Sequence, residues 1–239
     1  MHRLKPRTRY AELKPDQEAL LKHVEQTVVK QVLMMINRSS RVKNPSSLEK
    51  FRLTAVEQAV SIPEAEWEYL VPHLLERTFE KGDYLIRAGD VANNFYFIVH
   101  GLVRFFYSTE DGKEFNKHFA MEGGFAGSFQ SLVLREPCGF FVQALERTDT
   151  IVLPNRLLRE LYERHPCWER LGRRNAENLA LVKEAREKEL LLDSLEIRYR
   201  RFLKEFPGLA DRVPQYHIAS YLGVTDVALS RIRRKINQG

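Results

Sequence analysis

The hydrophobic positions of this chain change their period twice. Over 16–36, Leu20, Leu21, Val24, Val28, Val32, Met35 and Ile36 fall near one helical face behind Asp16, which predicts an amphipathic helix. Residues 37–47 are a polar break that reads as a linker, and a second helical stretch runs from Leu48 to Val60. Pro63 then opens a short helix with acidic residues in its first turn and Trp67, Tyr69 and Leu70 behind them. From about residue 76 the pattern shortens. Turn signals at Lys81-Gly82-Asp83, Ala88-Gly89-Asp90 and Gly101 separate the runs Phe95–Val99 and Leu102–Tyr107, Asp111-Gly112 reads as a hairpin turn, and Phe140–Leu145 and Thr150–Leu153 follow. Strands at this spacing predict an antiparallel sandwich or barrel, not βαβ units. After Pro154 the period becomes helical again, first over 155–164 and then without a proline over 167–192. In that long stretch Leu171, Leu179, Val182 and Leu190–Leu192 punctuate many charges, so the helix is either exposed or paired with a second copy of itself. Asp193–Glu196 has the form of a capping box for a helix that ends at Pro207-Gly208.

The final pattern, over 214–236, is the most specific. Pro214 opens a helix whose inward positions are Ile218, Ala219 and Leu222, Gly223 supplies a tight turn, and Thr225 caps a second helix with Ala228, Leu229 and Ile232 inward. This is the spacing of a helix-turn-helix. Asp226, Val227, Ser230, Arg231 and Arg234 then fall on or near the outward face of the second helix, where side chains reach base edges in a major groove; Gln215, Tyr216 and Thr225 complete the candidate DNA-contacting set.

Charge sharpens this picture. The net charge of +6 divides into +6 over 1–47, −5 over 48–193 and +5 over 194–239, so basic ends flank a slightly acidic body and suit a polyanionic partner. With 44% hydrophobic residues the chain is too apolar to be mainly disordered, and no apolar run approaches the roughly eighteen residues of a membrane span. The basic start lacks an apolar segment behind it and does not read as a signal peptide. Cys138 and Cys167 form neither a metal motif nor a disulfide framework, so a reducing, cytoplasmic setting is expected.

A β-roll, a long helix and a helix-turn-helix in this order resemble the Crp/Fnr transcription regulators over about residues 50–236. The markers are KGDYLIRAGD at 81–90, FYFIVHGLVR at 95–104 and IASYLGVTDVALSRI at 218–232. The resemblance implies an α+β architecture: an antiparallel double-stranded β-helix (jelly-roll) sensor domain, a long dimerisation helix and a C-terminal winged helix-turn-helix. The expected organisation is a basic extension with an amphipathic helix (1–47), a cyclic-nucleotide-binding-like β-roll (48–166), a dimerisation helix carrying Leu171, Leu179 and Val182 (167–192), and a DNA-binding domain (193–239). The implied function is that of a homodimeric, sequence-specific DNA-binding transcription regulator, not an enzyme. Its implied partners are double-stranded DNA, RNA polymerase and a small-molecule effector.

Cyclic AMP binding does not come with the resemblance. Aligned from Gly127 to Val142, the acidic residue that would hold the ribose becomes Ser128, and the Arg-Ser pair for the cyclic phosphate becomes Cys138-Gly139. An anionic phosphodiester wants a guanidinium fork, and burying it without one is costly. Arg135 is the nearest substitute, and Lys183 and Glu184 stand on the long helix where the adenine would be covered. The effector therefore stays open. No cysteine lies in residues 1–50 to hold an iron–sulfur cluster, and His73, His100, His118 and His165 are scattered, with no metal site among them. The alternative from another class is a cupin-type enzyme, also a β-roll, whose metal needs two histidines one residue apart on a strand; His100 and His118 do not supply that pair.

Overall fold

The computed structural model describes residues 45–57 and 60–237, so the amphipathic helix expected at 16–36 lies outside the described residues. Helix α1 spans Pro45–Glu57 and overlaps the end of the expected linker; α2 spans Glu64–Leu70 and runs into a short 3-10 turn at Val71–His73. Eight strands follow: β1 (Leu75–Phe79), β2 (Tyr84–Ile86), β3 (Asn94–His100), β4 (Val103–Ser108), β5 (Glu114–Ala120), β6 (Phe125–Ala126), β7 (Phe141–Ala144) and β8 (Thr148–Pro154), with α3 (Phe129–Leu134) between β6 and β7. They form two four-stranded antiparallel sheets, ordered β1-β8-β3-β6 and β2-β7-β4-β5. This is the expected antiparallel roll. Its interior is filled from both sheets by side chains such as Phe79, Tyr96, Ile98, Val103, Phe105 and Val142.

Gly101 sets the sharp turn between β3 and β4. Its φ is +102°, and a Cβ there would stand 2.6 Å from both the Arg147 carbonyl oxygen and the Thr148 hydroxyl, so only glycine fits. The hairpin between β4 and β5 turns at Gly112, as its Asp-Gly signal predicts, with φ +80°.

Six helices complete the described residues: α4 (Asn155–Arg164), α5 (Pro166–Leu192), α6 (Leu195–Glu205), α7 (Leu209–Arg212) and the pair α8 (Gln215–Leu222) and α9 (Asp226–Asn237). His165 caps α5 by accepting the Cys167 N–H at 3.1 Å, and Pro166 takes the first position, where its missing N–H costs nothing. The start of α5 is anchored on α2: Trp168 meets Trp67 edge-on at 5.7 Å, and its indole N–H donates to Glu66 at 2.9 Å. The middle of α5 is largely solvent-facing, as its polar sequence predicts. Ser194, one residue after the expected Asp193, caps α6 by accepting the Ile197 N–H. Among the described residues no helix is long and apolar enough to cross a membrane.

Candidate nucleic-acid interface and sensor cavity

The turn between α8 and α9 is built as the sequence predicts. Gly223 adopts the left-handed conformation, with φ +69°, and closes α8 by donating its N–H to Ser220. Thr225 accepts the Ala228 N–H at 3.3 Å and so caps α9, while Ile218, Leu222 and Leu229 are fully buried. Asp226, Val227, Arg231 and Arg234 are exposed on α9, and Tyr216 is exposed on α8. Two candidate DNA contacts are engaged within the motif. Gln215 Nε2 donates to the Ser230 hydroxyl at 2.7 Å and to the Asp226 carbonyl at 3.0 Å, tying the two helices together. One expectation is corrected. Among the described residues every element after β8 is helical, so no β-hairpin wing accompanies the motif. Residues 226–237 contain neither Gly nor Pro to break α9 into a hairpin.

The motif does not stand alone. Its apolar core, which includes Phe202, Phe206, Tyr221 and Leu222, also contains Leu102 and Phe119 from the roll. A buried polar network lies beside that core. The Arg104 guanidinium stacks 3.9 Å over Phe106, donates to Gln143 and Glu114, and points one N–H at His217 Nδ1 from 3.4 Å. Asn116 Nδ2 donates to the His217 carbonyl at 3.0 Å and faces Nδ1 at 3.1 Å, while the Asn116 N–H donates to the Ser220 hydroxyl at 2.9 Å. With two donors aimed at Nδ1, His217 must accept there and stay neutral. Its burial, with the Arg104 charge adding to it, lowers its pKa to about 4. At the rim, Arg212 donates to Glu122 at 2.9 Å and also to Glu146. Desolvation would raise the Glu122 carboxyl, but the Arg212 hydrogen bonds, the backbone N–H donors including that of Gly101, and the Arg212 charge together outweigh it and draw the group down to about 2. Sequence reasoning missed this interface. Its one sign was a charged Arg104 inside a strand of aromatic residues.

The candidate effector residues stand in different settings. Ser128 is buried as the N-cap of α3, its hydroxyl accepting the Ser131 N–H. Arg135 ends α3 in the left-handed region and lines an outer groove with Arg156 and Arg159. Cys138 is buried in the roll, its thiol donating to the Phe140 carbonyl. Backbone bonds between Gly89 and Cys138 and between Cys138 and Asp90 pin this segment to the β2–β3 turn. Gly139, Lys183 and Glu184 are exposed.

A cavity of about 260 Å³ lies instead between the roll and α5. Phe95, Phe105, Phe125, Phe129 and Leu132 line it from the roll side, Leu171, Gly172, Asn175 and Leu179 from α5, and His118 and Tyr162 bring polar atoms to it. None of the six candidate effector residues lines it. Two expected dimer residues, Leu171 and Leu179, do, whereas Val182 is exposed. Nothing in the sequence marked these aromatic residues as more than core.

Comparison with known proteins follows this geometry. Residues 76–165 match the family model of the cyclic nucleotide-binding domain. No curated protein matches the chain as a relative. Among solved structures, FixK2 from Bradyrhizobium japonicum is similar with a TM-score of 0.61 and 19% identity, over 69% of this chain and 85% of that one. The c-di-GMP-responsive global regulator CLP from Xanthomonas campestris is similar with a TM-score of 0.58 and 16% identity, over 74% and 92%. A CooA mutant from Carboxydothermus hydrogenoformans gives 0.54 and 19%, over 69% and 77%. Residues 76–165 are therefore similar to a cyclic nucleotide-binding domain, in a chain that shares the fold of FixK2, CLP and CooA.

Proposed function

We propose that the chain is a sequence-specific DNA-binding transcription regulator that acts as a homodimer and answers to a small-molecule effector other than cyclic AMP. The observation that carries this reading is the exposed face of α9. It presents Asp226, Val227, Arg231 and Arg234 beyond a helix-turn-helix whose turn, cap and buried positions are all satisfied. The N-terminal turns of such a helix read base edges, and the basic residues behind them meet phosphates. The exposed apolar residues Leu179, Leu181, Val182, Leu191 and Leu192 of α5 support pairing with a second copy, the geometry that places two recognition helices about one DNA turn apart. RNA polymerase is the further partner this reading implies. The cupin-type enzyme would need two histidines one residue apart on a strand, whereas His100 and His118 stand on different strands, β3 and β5.

The test is an unbiased selection of DNA bound by the full chain at a stated salt concentration, since phosphate contacts dominate affinity. Enrichment of an inverted repeat with half-sites about 10 base pairs apart is expected. A pool no different from the input would defeat the reading.

A further inference from the structure

We infer that the cavity between the roll and α5 is a receptor site for an uncharged, largely apolar molecule carrying one or two rings, and that His118 passes its occupancy to the helix-turn-helix. The inference rests on the reading of the chain as an effector-controlled DNA-binding protein, and it assigns the class of effector and the place where it binds.

Three observations carry it. First, no residue lining the cavity bears a formal charge. Burying a phosphate among Phe95, Phe129 and Leu132 would leave it without a cation, whereas an apolar ring meets aromatic walls at no such cost. The volume, about 260 Å³, exceeds the roughly 150 Å³ void that holds a benzene molecule, which leaves room for a second ring or a short substituent.

Second, the cavity has polar handles but no ionic one. Neither the imidazole of His118 nor the hydroxyl of Tyr162 hydrogen-bonds to another described residue, although both groups line the cavity. Burial, reinforced by the charges of Lys117 and Lys183, lowers the His118 pKa to about 4. At neutral pH the ring therefore offers one donor or one acceptor and no charge, which suits a ligand with a single carbonyl, hydroxyl or amine.

Third, His118 touches both sides. Its ring lies 5.4 Å from Phe105, which lines the cavity, and 5.8 Å from Phe206 at the end of α6. Phe206 in turn packs on Phe202 at 5.4 Å and on Tyr221 of α8 at 5.7 Å. A molecule that draws His118 toward the cavity would pull on the packing that seats the DNA-binding helices.

The experiment uses the full chain and the uncharged two-ring fluorescent probe 6-propionyl-2-(dimethylamino)naphthalene. Saturable, blue-shifted emission at one probe per chain is expected, with at least a tenfold weaker Kd in Leu132→Trp and in Leu158→Trp, two variants that fill the cavity from different walls. Their melting temperatures show whether each is folded, and one folded variant suffices. Excess cyclic AMP should not displace the probe. The probe should change the affinity for the selected DNA at least threefold in the parent chain and not in His118→Phe. Absence of saturable binding would overturn the proposal. Binding that survives in a folded filling variant, or that yields to cyclic AMP, would overturn it equally. Probe binding without any change in DNA affinity would overturn the role of His118. Probe binding is read without DNA, so a chain that binds the probe and no DNA sinks the regulator reading and leaves the receptor site standing.

Discussion

Arg231 is exposed on α9, one residue after the half-buried Ser230, whose hydroxyl accepts from Gln215. Of that pair the guanidinium is the exposed group, and its fork suits the O6 and N7 edge of guanine. Arg231→Ala is expected to cost about 1–3 kcal/mol and to relax one base position. An equal loss on every sequence would make Arg231 a phosphate contact. A second residue-scale expectation comes from two desolvated histidines, His217 buried and His118 partly buried. His118 and His217 both titrate near 4 in the folded chain, against an ordinary 6.5 when exposed. Below 6.5 the unfolded chain takes up these protons first, so the stability they confer is complete above 6.5 and drains away as the pH falls toward 4. The melting temperature should be level above pH 7 and decline below 6.5, with a shallower decline in His217→Gln. A melting curve unchanged between pH 7 and 4.5 would contradict the neutral, doubly solvated-out state of these rings.

At the scale of elements, α5 carries two duties along one length. Its first turn is anchored by Trp168, and its last turns rejoin the fold where the Arg186 guanidinium lies 4.0 Å over the Tyr221 ring. Between them Leu179 and Val182 are 36% and 47% exposed, more than an apolar side chain gains from within one chain. Leu179→Lys together with Val182→Glu should give a monomer by sedimentation, and a surviving dimer would place the two-fold axis elsewhere. The β4–β5 hairpin carries the other load. The Asn116 side chain reaches the His217 carbonyl from the roll, so Asn116→Ala strands that carbonyl in a buried setting, while the backbone N–H of residue 116 keeps its bond to Ser220. A loss of about 1–3 kcal/mol is expected, read by denaturant unfolding. A neutral outcome would mean that water replaces the amide at no cost.

Across the whole molecule, how much was legible follows from how local each signal is. The strands, the hairpin at Gly112 and the helix-turn-helix could be read because turn residues and spacing act within a few positions. The strand rhythm also sufficed for the antiparallel class, since ten-residue spacing leaves no room for crossover helices. What escaped was long-range. Nothing within ten residues of Glu122 or Glu146 announces that both receive Arg212. The aromatic lining of the cavity looks in sequence like any other core, and an alignment does not show that the Ser128 hydroxyl caps α3 or that the Cys138 thiol donates to the Phe140 carbonyl. Arg212→Ala tests the long-range clamp. Its partners are more than a third exposed, so its effect on global stability should be small. Limited proteolysis between α6 and α8 should nonetheless quicken, and an unchanged cleavage rate would leave the apolar contacts as the sole attachment.

The presence of Leu102 and Phe119 in the core of the helix-turn-helix bears on how portable that segment is. A segment that borrows two core side chains from the roll is not a cassette that can be cut out at residue 193 and grafted onto another sensor. Chimaeras joined there would expose Phe202, Phe206 and Tyr221 unless the recipient's hairpin offered the same two side chains, and should aggregate. Exchanging residues 102–120, Leu102 with the β4–β5 hairpin, together with the final segment is the graft that keeps both side chains in this core.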